Sequence, residues 1–98
     1  MANAYTYHGT HLARVRSGHL RLRWIPYAKR FDRVRVIEHT CGMDPCNRQT
    51  YELCHAGGLA FIRRTVRDAS GVTVTETDTM SFDRGDEIWQ MLVSGKAR

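Results

Sequence analysis

The sequence contains no long apolar run, only two prolines and only two lysines among its 98 residues. No hydrophobic stretch approaches the ~20 residues that a membrane-spanning helix requires, so no such helix is predicted. The opening residues, MANAYTYHGTH, lack the basic head and apolar stretch of a signal peptide, and we therefore expect a cytoplasmic protein. A chain of this length suits one domain, which we predict to cover residues 1–98.

Recognisable catalytic signatures are also missing. The sequence contains no GxGxxG, no P-loop, no GxSxG and no HExxH motif. Cys54 and His55 are adjacent, so in a strand their side chains would point to opposite faces and would not form a nucleophile and its base. The carboxylates of Asp83, Asp86 and Glu87 cluster at a predicted helix start, where they stabilise the helix. We therefore predict neither enzyme activity nor a cofactor.

Basic charge is present in excess and is unevenly distributed. Residues 1–48 carry nine basic and three acidic side chains, whereas residues 49–98 carry six and seven, which together give the net charge of +5. Thirteen of the fifteen basic residues are arginine. Such asymmetry is typical of a surface that meets an acidic partner, although arginine can also simply keep a surface soluble.

Alternating apolar and polar residues predict a series of β-strands. The predicted strands are 20–25, 33–38 (extending to 40), 49–55, 58–67 and 72–79, with a further strand near 11–17 as an option. Ala56-Gly57-Gly58 would form a tight hairpin turn. If 33–40 pairs with 49–55 as a hairpin, Cys54 lies opposite Val36.

The C-terminal residues predict one helix. Apolar residues Phe82, Ile88, Trp89, Leu92 and Val93 recur at helical spacing. Ser81 or Asp83 would be the N-cap, and Gly95 the C-cap. The predicted fold class is therefore α+β: a small antiparallel meander of four to six strands, with one C-terminal helix packed on a face through Trp89.

All three cysteines lie in the segment HTCGMDPCNRQTYELCHAGG, residues 39–58. One ion cannot gather all three, because the predicted hairpin separates Cys41 from Cys54 by about five residues, or roughly 16 Å. A zinc site built from His39, Cys41 and Cys46, with a fourth ligand from His8 or His11, is one interpretation. A disulfide between Cys41 and Cys46 is another. We favour a third, two ordinary hairpin turns with cysteines packed as small apolar residues.

Three stretches in the second half of the chain are distinctive: YELCHAGGLAFIRRT (51–65), the threonine-rich strand after it, and EIWQMLVSGKAR (87–98). Together with RVRVIEHTC, these stretches resemble the BldB family of small actinobacterial developmental proteins. The resemblance implies a cytoplasmic, non-enzymatic regulator of morphological differentiation and antibiotic production. It also implies self-association and a protein partner such as a helix-turn-helix transcriptional regulator.

Four arginines are the predicted partner-binding residues. Arg21, Arg23, Arg33 and Arg35 alternate outward on two predicted strands that we expect to pair, which would place them on one sheet face. Guanidinium groups bind carboxylates and phosphates in bidentate fashion, so the partner could be a protein or nucleic acid. We favour a protein, because the helix is acidic and Trp24 lies on the apolar side of its strand. We also expect a homodimer, formed along the edge of strand 72–79 or through apolar residues beside the helix.

Overall fold

The computed structural model describes residues 12–42 and 48–98. They form a five-stranded antiparallel sheet in the order β1-β5-β4-β3-β2, with one C-terminal helix packed against it. The elements are β1 (Ile25–Pro26), β2 (Arg35–Cys41), β3 (Gln49–Ala56), β4 (Leu59–Asp68), β5 (Gly71–Glu76) and α1 (Phe82–Val93). The predicted α+β class is confirmed. No helix in this part of the chain is long and apolar enough to cross a membrane.

Strands β2 to β5 form an antiparallel meander, and the predicted β2–β3 register holds as far as Val36. Val36 pairs with Cys54, as the hairpin geometry predicts, and the register then shifts by one residue so that Glu38 pairs with Leu53. The shift leaves Ile37 as the extra residue of a β-bulge. Gly57 and Gly58 form the β3–β4 turn with φ angles of 59° and 77°, a region that glycine enters without steric cost.

The predicted pairing of strand 20–25 with strand 33–38 is wrong. Only Ile25–Pro26 forms a strand there, and it pairs with β5 at the opposite edge of the sheet from β2. Pro26 suits this edge position, because proline cannot donate to a further strand. Residues 20–22 instead run beside the chain after the helix, where Leu20 and Ala97 form a parallel bridge. Residues 12–17 form no strand, and residue 11 lies outside the described residues.

The helix begins at one of the two predicted N-caps and ends one residue before the predicted C-cap, Gly95. The Ser81 hydroxyl caps the N-terminus by accepting a hydrogen bond from the Arg84 backbone N–H at 3.1 Å. The C-cap is Ser94, and Gly95 follows it with a φ of +83°. A Cβ on Gly95 would lie 2.2 Å from the carbonyl oxygen of Arg14, so glycine here also lets an upstream segment pass closely.

The helix seals one face of the sheet with apolar side chains. Trp89 is 3% exposed and belongs to the main core, which confirms the prediction that it anchors the helix on the sheet. Other members of this core are Leu12, Tyr51, Leu53, Ile62, Ile88 and Leu92. The Trp24 ring packs against this cluster and meets Tyr51 edge-on at 6.0 Å, so it is part of the core, as predicted.

The opposite face is covered differently. The connection from β1 to β2, residues 27–34, crosses the sheet and stacks Phe31 on Phe61 with ring centroids 5.9 Å apart. Phe31 and Val34 thereby cover a second small core of Cys54, Ala56 and Phe61. This connection reaches across only part of the face, so the rest of it lies open.

Candidate functional site

Two neighbouring upstream segments, residues 12–16 and 20–22, lie beside the chain that leaves the C-terminal end of the helix. The Arg16 N–H donates to the Gly95 carbonyl at 2.8 Å, and the Leu20 N–H donates to the Lys96 carbonyl at 2.9 Å. A third hydrogen bond, from the Leu22 N–H to the Arg98 carbonyl, measures 2.8 Å. Residues 12–16 and 20–22 are therefore fixed to the chain that leaves the helix.

The Arg98 side chain holds this junction together. Its guanidinium donates to the carbonyl of Leu92 at 2.7 Å, in the last turn of the helix, and to the carbonyl of Ala13. Burial removes water from the charged group and lowers the pKa of Arg98 below its usual value. Satisfying two carbonyls with one cation offsets that desolvation cost and ties the upstream segment to the helix end.

Five exposed cations surround this junction, and we call them the basic patch: Arg14, Arg16, Arg21, Arg23 and Lys96. Among the described residues, the only ion pair that any of them makes is between Arg23 and Asp78, at 3.7 Å. Both side chains of that pair are more than half exposed, so it contributes little stability. The positive charge at the patch is therefore largely uncompensated within the described chain.

The structure divides the four predicted partner-binding arginines into two pairs. Arg21 and Arg23 belong to the basic patch, on the β1 side of the sheet. Arg33 lies in the connection that leads into β2, and Arg35 opens β2 at the other edge. Four strand spacings, about 19 Å, separate the two edges. The four side chains do not share a sheet face, and that part of the prediction is wrong.

Arg14, Arg16 and Lys96 were not among the predicted partner-binding residues. They join Arg21 through the parallel bridge between Leu20 and Ala97, which links positions 77 residues apart. No local periodicity signals such a bridge. The one available hint was composition, because the basic excess lies in residues 1–48.

The candidate zinc ligands are only partly visible. His39 and Cys41 are two residues apart in β2, with His39 exposed and Cys41 1% exposed. Cys46 and the possible fourth ligands, His8 and His11, lie outside the described residues, as does any bond between Cys41 and Cys46. Within residues 12–42 and 48–98, no three potential ligands of the His, Cys, Asp or Glu type come together. The zinc site and the disulfide stay predictions.

Cys54 and His55 lie on opposite faces, as predicted. Cys54 is fully buried beside Phe61, and this burial raises the pKa of its thiol to about 11. His55 faces the helix and stacks on Phe82 with ring centroids 4.1 Å apart. The neutral thiol and the distant imidazole do not form a thiolate–imidazole dyad, so this pair offers no nucleophile.

The exposed side of the helix is acidic. Asp83, Asp86 and Glu87 are exposed along its first half, and the one nearby basic residue, Arg84, forms an ion pair with Glu87. A helix that enters a DNA groove normally presents basic and amide side chains to phosphates and bases. The helix therefore does not resemble a recognition helix.

Neither the family models, the curated proteins nor the solved structures compared with this chain provide a significant match.

Proposed function

We propose that this protein is a non-enzymatic cytoplasmic regulator that acts by binding another protein through the basic patch. One observation carries the proposal. Four exposed cations of residues 14–23 are joined by Lys96 from the other end of the chain, and among the described residues only Asp78 pairs with any of the five. Since this arrangement adds little stability, an anionic partner is the simplest reason for it.

The partner's surface would be acidic and rich in carboxylates. Four of the five cations are arginines, whose planar guanidinium groups bind carboxylates with two parallel hydrogen bonds. The resemblance to the BldB family supports a helix-turn-helix transcriptional regulator as the partner. It likewise supports a role in actinobacterial development.

The same chemistry favours one alternative, direct binding of nucleic acid. Arginine binds phosphate oxygens as readily as carboxylates. Nonetheless, binding would have to use the basic patch and not the helix, whose exposed carboxylates repel phosphates.

Charge reversal distinguishes the proposed surface from the opposite sheet edge. We expect Arg14→Glu with Arg21→Glu to abolish capture of the partner from host extract, in a manner unaffected by nuclease treatment. Arg33→Glu with Arg35→Glu is the matched control, because it changes the charge equally at the β2 edge. Since all four side chains are exposed, each double variant should retain wild-type folding within about 1 kcal/mol.

Other results would revise the proposal. Loss of capture only in the Arg33/Arg35 variant would move the interface to the β2 edge. Retardation of duplex DNA or RNA by purified protein, with affinity falling steeply as salt rises, would favour nucleic acid.

We further propose that the protein acts as a homodimer formed through β2. The predicted seam along strand 72–79 is partly occupied, because Ile25–Pro26 pairs with β5 and Tyr27 donates to Val74. Strand β2 ends the sheet order, and its apolar Val36 and Ile37 are 44% and 38% exposed. No proline or lysine guards this edge against pairing.

Sedimentation at micromolar concentration tests the dimer. We expect Ile37→Lys to produce a monomer, whereas Val72→Lys on β5 should leave the dimer intact. If only the Val72 variant loses the dimer, the interface lies along β5. If the wild-type protein is a monomer, the proposed dimer is wrong.

A further inference from the structure

An open groove of about 480 Å³ lies on the sheet face opposite the helix. It crosses β2, β3, β4 and β5, and Tyr27 of the β1–β2 connection forms one wall. The lining residues are Tyr27, His39, Thr50, Glu52, Arg63, Thr65, Arg67, Val72 and Val74. The groove shares no residue with the basic patch, and the function proposed above does not involve it.

The charges at the inner end of the groove balance, because Arg30 and Arg63 pair with two carboxylates, Glu76 and Glu52. Arg63 donates from Nε to Glu76 at 2.9 Å, and Arg30 donates to the other oxygen of the same carboxylate at 3.1 Å. The Glu76 side chain is only 4% exposed, so this pairing is largely shielded from water. Burial alone would lower the pKa of Arg63, yet the hydrogen bond to Glu76 and the neighbouring negative charges raise it overall.

The outer end of the groove contains a cation, Arg67. Arg67 is exposed and makes no ion pair or side-chain hydrogen bond with any described residue. Beside it on the floor, Thr50 and Thr65 pair across β3 and β4, and neither hydroxyl has a partner within the described chain. These three side chains offer hydrogen-bond donors to an anion. The carboxylate that lines the groove, Glu52, is paired with Arg63 at 3.7 Å.

Apolar surface lies next to these donors. Val72 pairs directly with Arg67 across β4 and β5 and is 62% exposed. The Tyr27 ring is 51% exposed, and Arg63 lies 5.9 Å from its centroid, which helps to hold the ring as a wall. Exposed apolar side chains that border unpaired donors are typical of a pocket for an organic ligand.

We propose that this groove binds a small organic anion, with a carboxylate or phosphate group on a flat apolar body. Arg67 takes the anionic group, and the hydroxyls of Thr50 and Thr65 add hydrogen bonds. Tyr27 and Val72 contact the apolar body. The volume lies within the ~300–1,000 Å³ usual for small-molecule sites.

An NMR titration of ¹⁵N-labelled full-length protein tests the proposal with defined probes. Phenyl phosphate and benzoate combine an anion with a flat ring, whereas inorganic phosphate and phenol each supply one part. We expect the two combined probes to shift the backbone amides of Thr50, Thr65 and Arg67, and each single-part probe to bind at least about tenfold more weakly. The stronger of phenyl phosphate and benzoate then identifies the preferred anion.

Substitutions separate specific binding from general attraction to a basic protein. Arg67→Gln should weaken phenyl phosphate and benzoate binding by about tenfold or more, because a charge-assisted contact is lost. Arg35→Gln removes the same charge elsewhere on the sheet and should leave the affinity unchanged. The proposal is overturned if the shifts occur at Arg14, Arg16 and Arg21 instead, if both variants bind alike, or if no amide in the groove responds.

Discussion

The two faces of the sheet are closed by different means. On one face, a regular helix lays Ile88, Trp89 and Leu92 onto an apolar surface. On the other face, the irregular connection 27–34 covers a smaller core and leaves an open groove, which is lined in part by Arg63, the ion-pair partner of Glu76. The helix, with Leu12 and Trp24 beside it, covers a continuous apolar core, whereas the irregular connection leaves space for a ligand on its face.

Removing the helix anchor should have the largest effect on stability. Trp89→Ala deletes a 3% exposed side chain from the main core, and such truncations cost about 3–5 kcal/mol. In a domain of ordinary stability, about 5–15 kcal/mol, this loss should lower the melting temperature strongly or prevent folding. Thermal denaturation followed by circular dichroism measures the change. An unchanged melting temperature would show that the helix face is not held by this residue.

Removing the charge of Glu76, on the opposite face, should lower the free energy of unfolding by less than Trp89→Ala does. Glu76→Gln keeps the shape but removes the charge that pairs with Arg30 and Arg63, so we expect a loss of about 1.5–3 kcal/mol. Urea denaturation measures it. The matched control is Glu87→Gln, because Glu87 pairs with Arg84 on the exposed helix surface, where a pair is worth under about 1 kcal/mol. Equal losses in the two variants would contradict the distinction.

Alkaline pH should lower the free energy of unfolding, because the buried thiol of Cys54 resists ionisation in the folded protein. The pKa of its thiol is about 11 in the folded protein, against 9.0 for an unperturbed thiol. Since the unfolded chain releases this proton first, the contribution of Cys54 to stability is fully present below pH 9 and falls until about pH 11.

The expected loss over this range is on the order of 2–3 kcal/mol. Urea denaturation at a series of pH values, compared between wild type and Cys54→Ala, isolates the contribution from other titrating groups. Parallel pH profiles for the two proteins would contradict the burial of this thiol.

Removing the helix cap should have the smallest effect. Ser81→Ala loses the hydrogen bond that the hydroxyl accepts from Arg84 N–H, which costs about 1 kcal/mol. Ser81→Asp should restore most of the stability, because aspartate accepts the same hydrogen bond. If Ser81→Ala lowers the free energy of unfolding as much as Trp89→Ala does, the cap and not the packing of Trp89 holds the helix on the sheet.

Local patterns in the sequence predicted most of the elements and one point of register, between β2 and β3. Alternation located β2, the glycine turn and a β-branched run located β3 to β5, and helical periodicity located α1. The hairpin between β2 and β3 placed Cys54 opposite Val36, as observed. These features depend on residues close in sequence, where side-chain period and turn chemistry act directly.

The remaining errors concern contacts between distant residues. The pairing of Ile25–Pro26 with β5 depends on the chain crossing the sheet, which alternation in LRLRWI does not encode. The burial of Glu76 likewise depends on Arg30 and Arg63, which reach its carboxylate from other parts of the chain. The candidate sites were the hardest part to predict, because the basic patch and the groove both combine residues that are far apart in sequence.

The composition of the basic patch gives it a property that a continuous epitope lacks. Four of its cations lie within residues 14–23 and the fifth is Lys96, so the set is assembled only when the Leu20–Ala97 bridge has formed. An unfolded or half-folded chain carries the same charges but not their arrangement. A partner that requires all five cations therefore binds the folded protein and not its folding intermediates. Binding to the patch is then a test of complete folding.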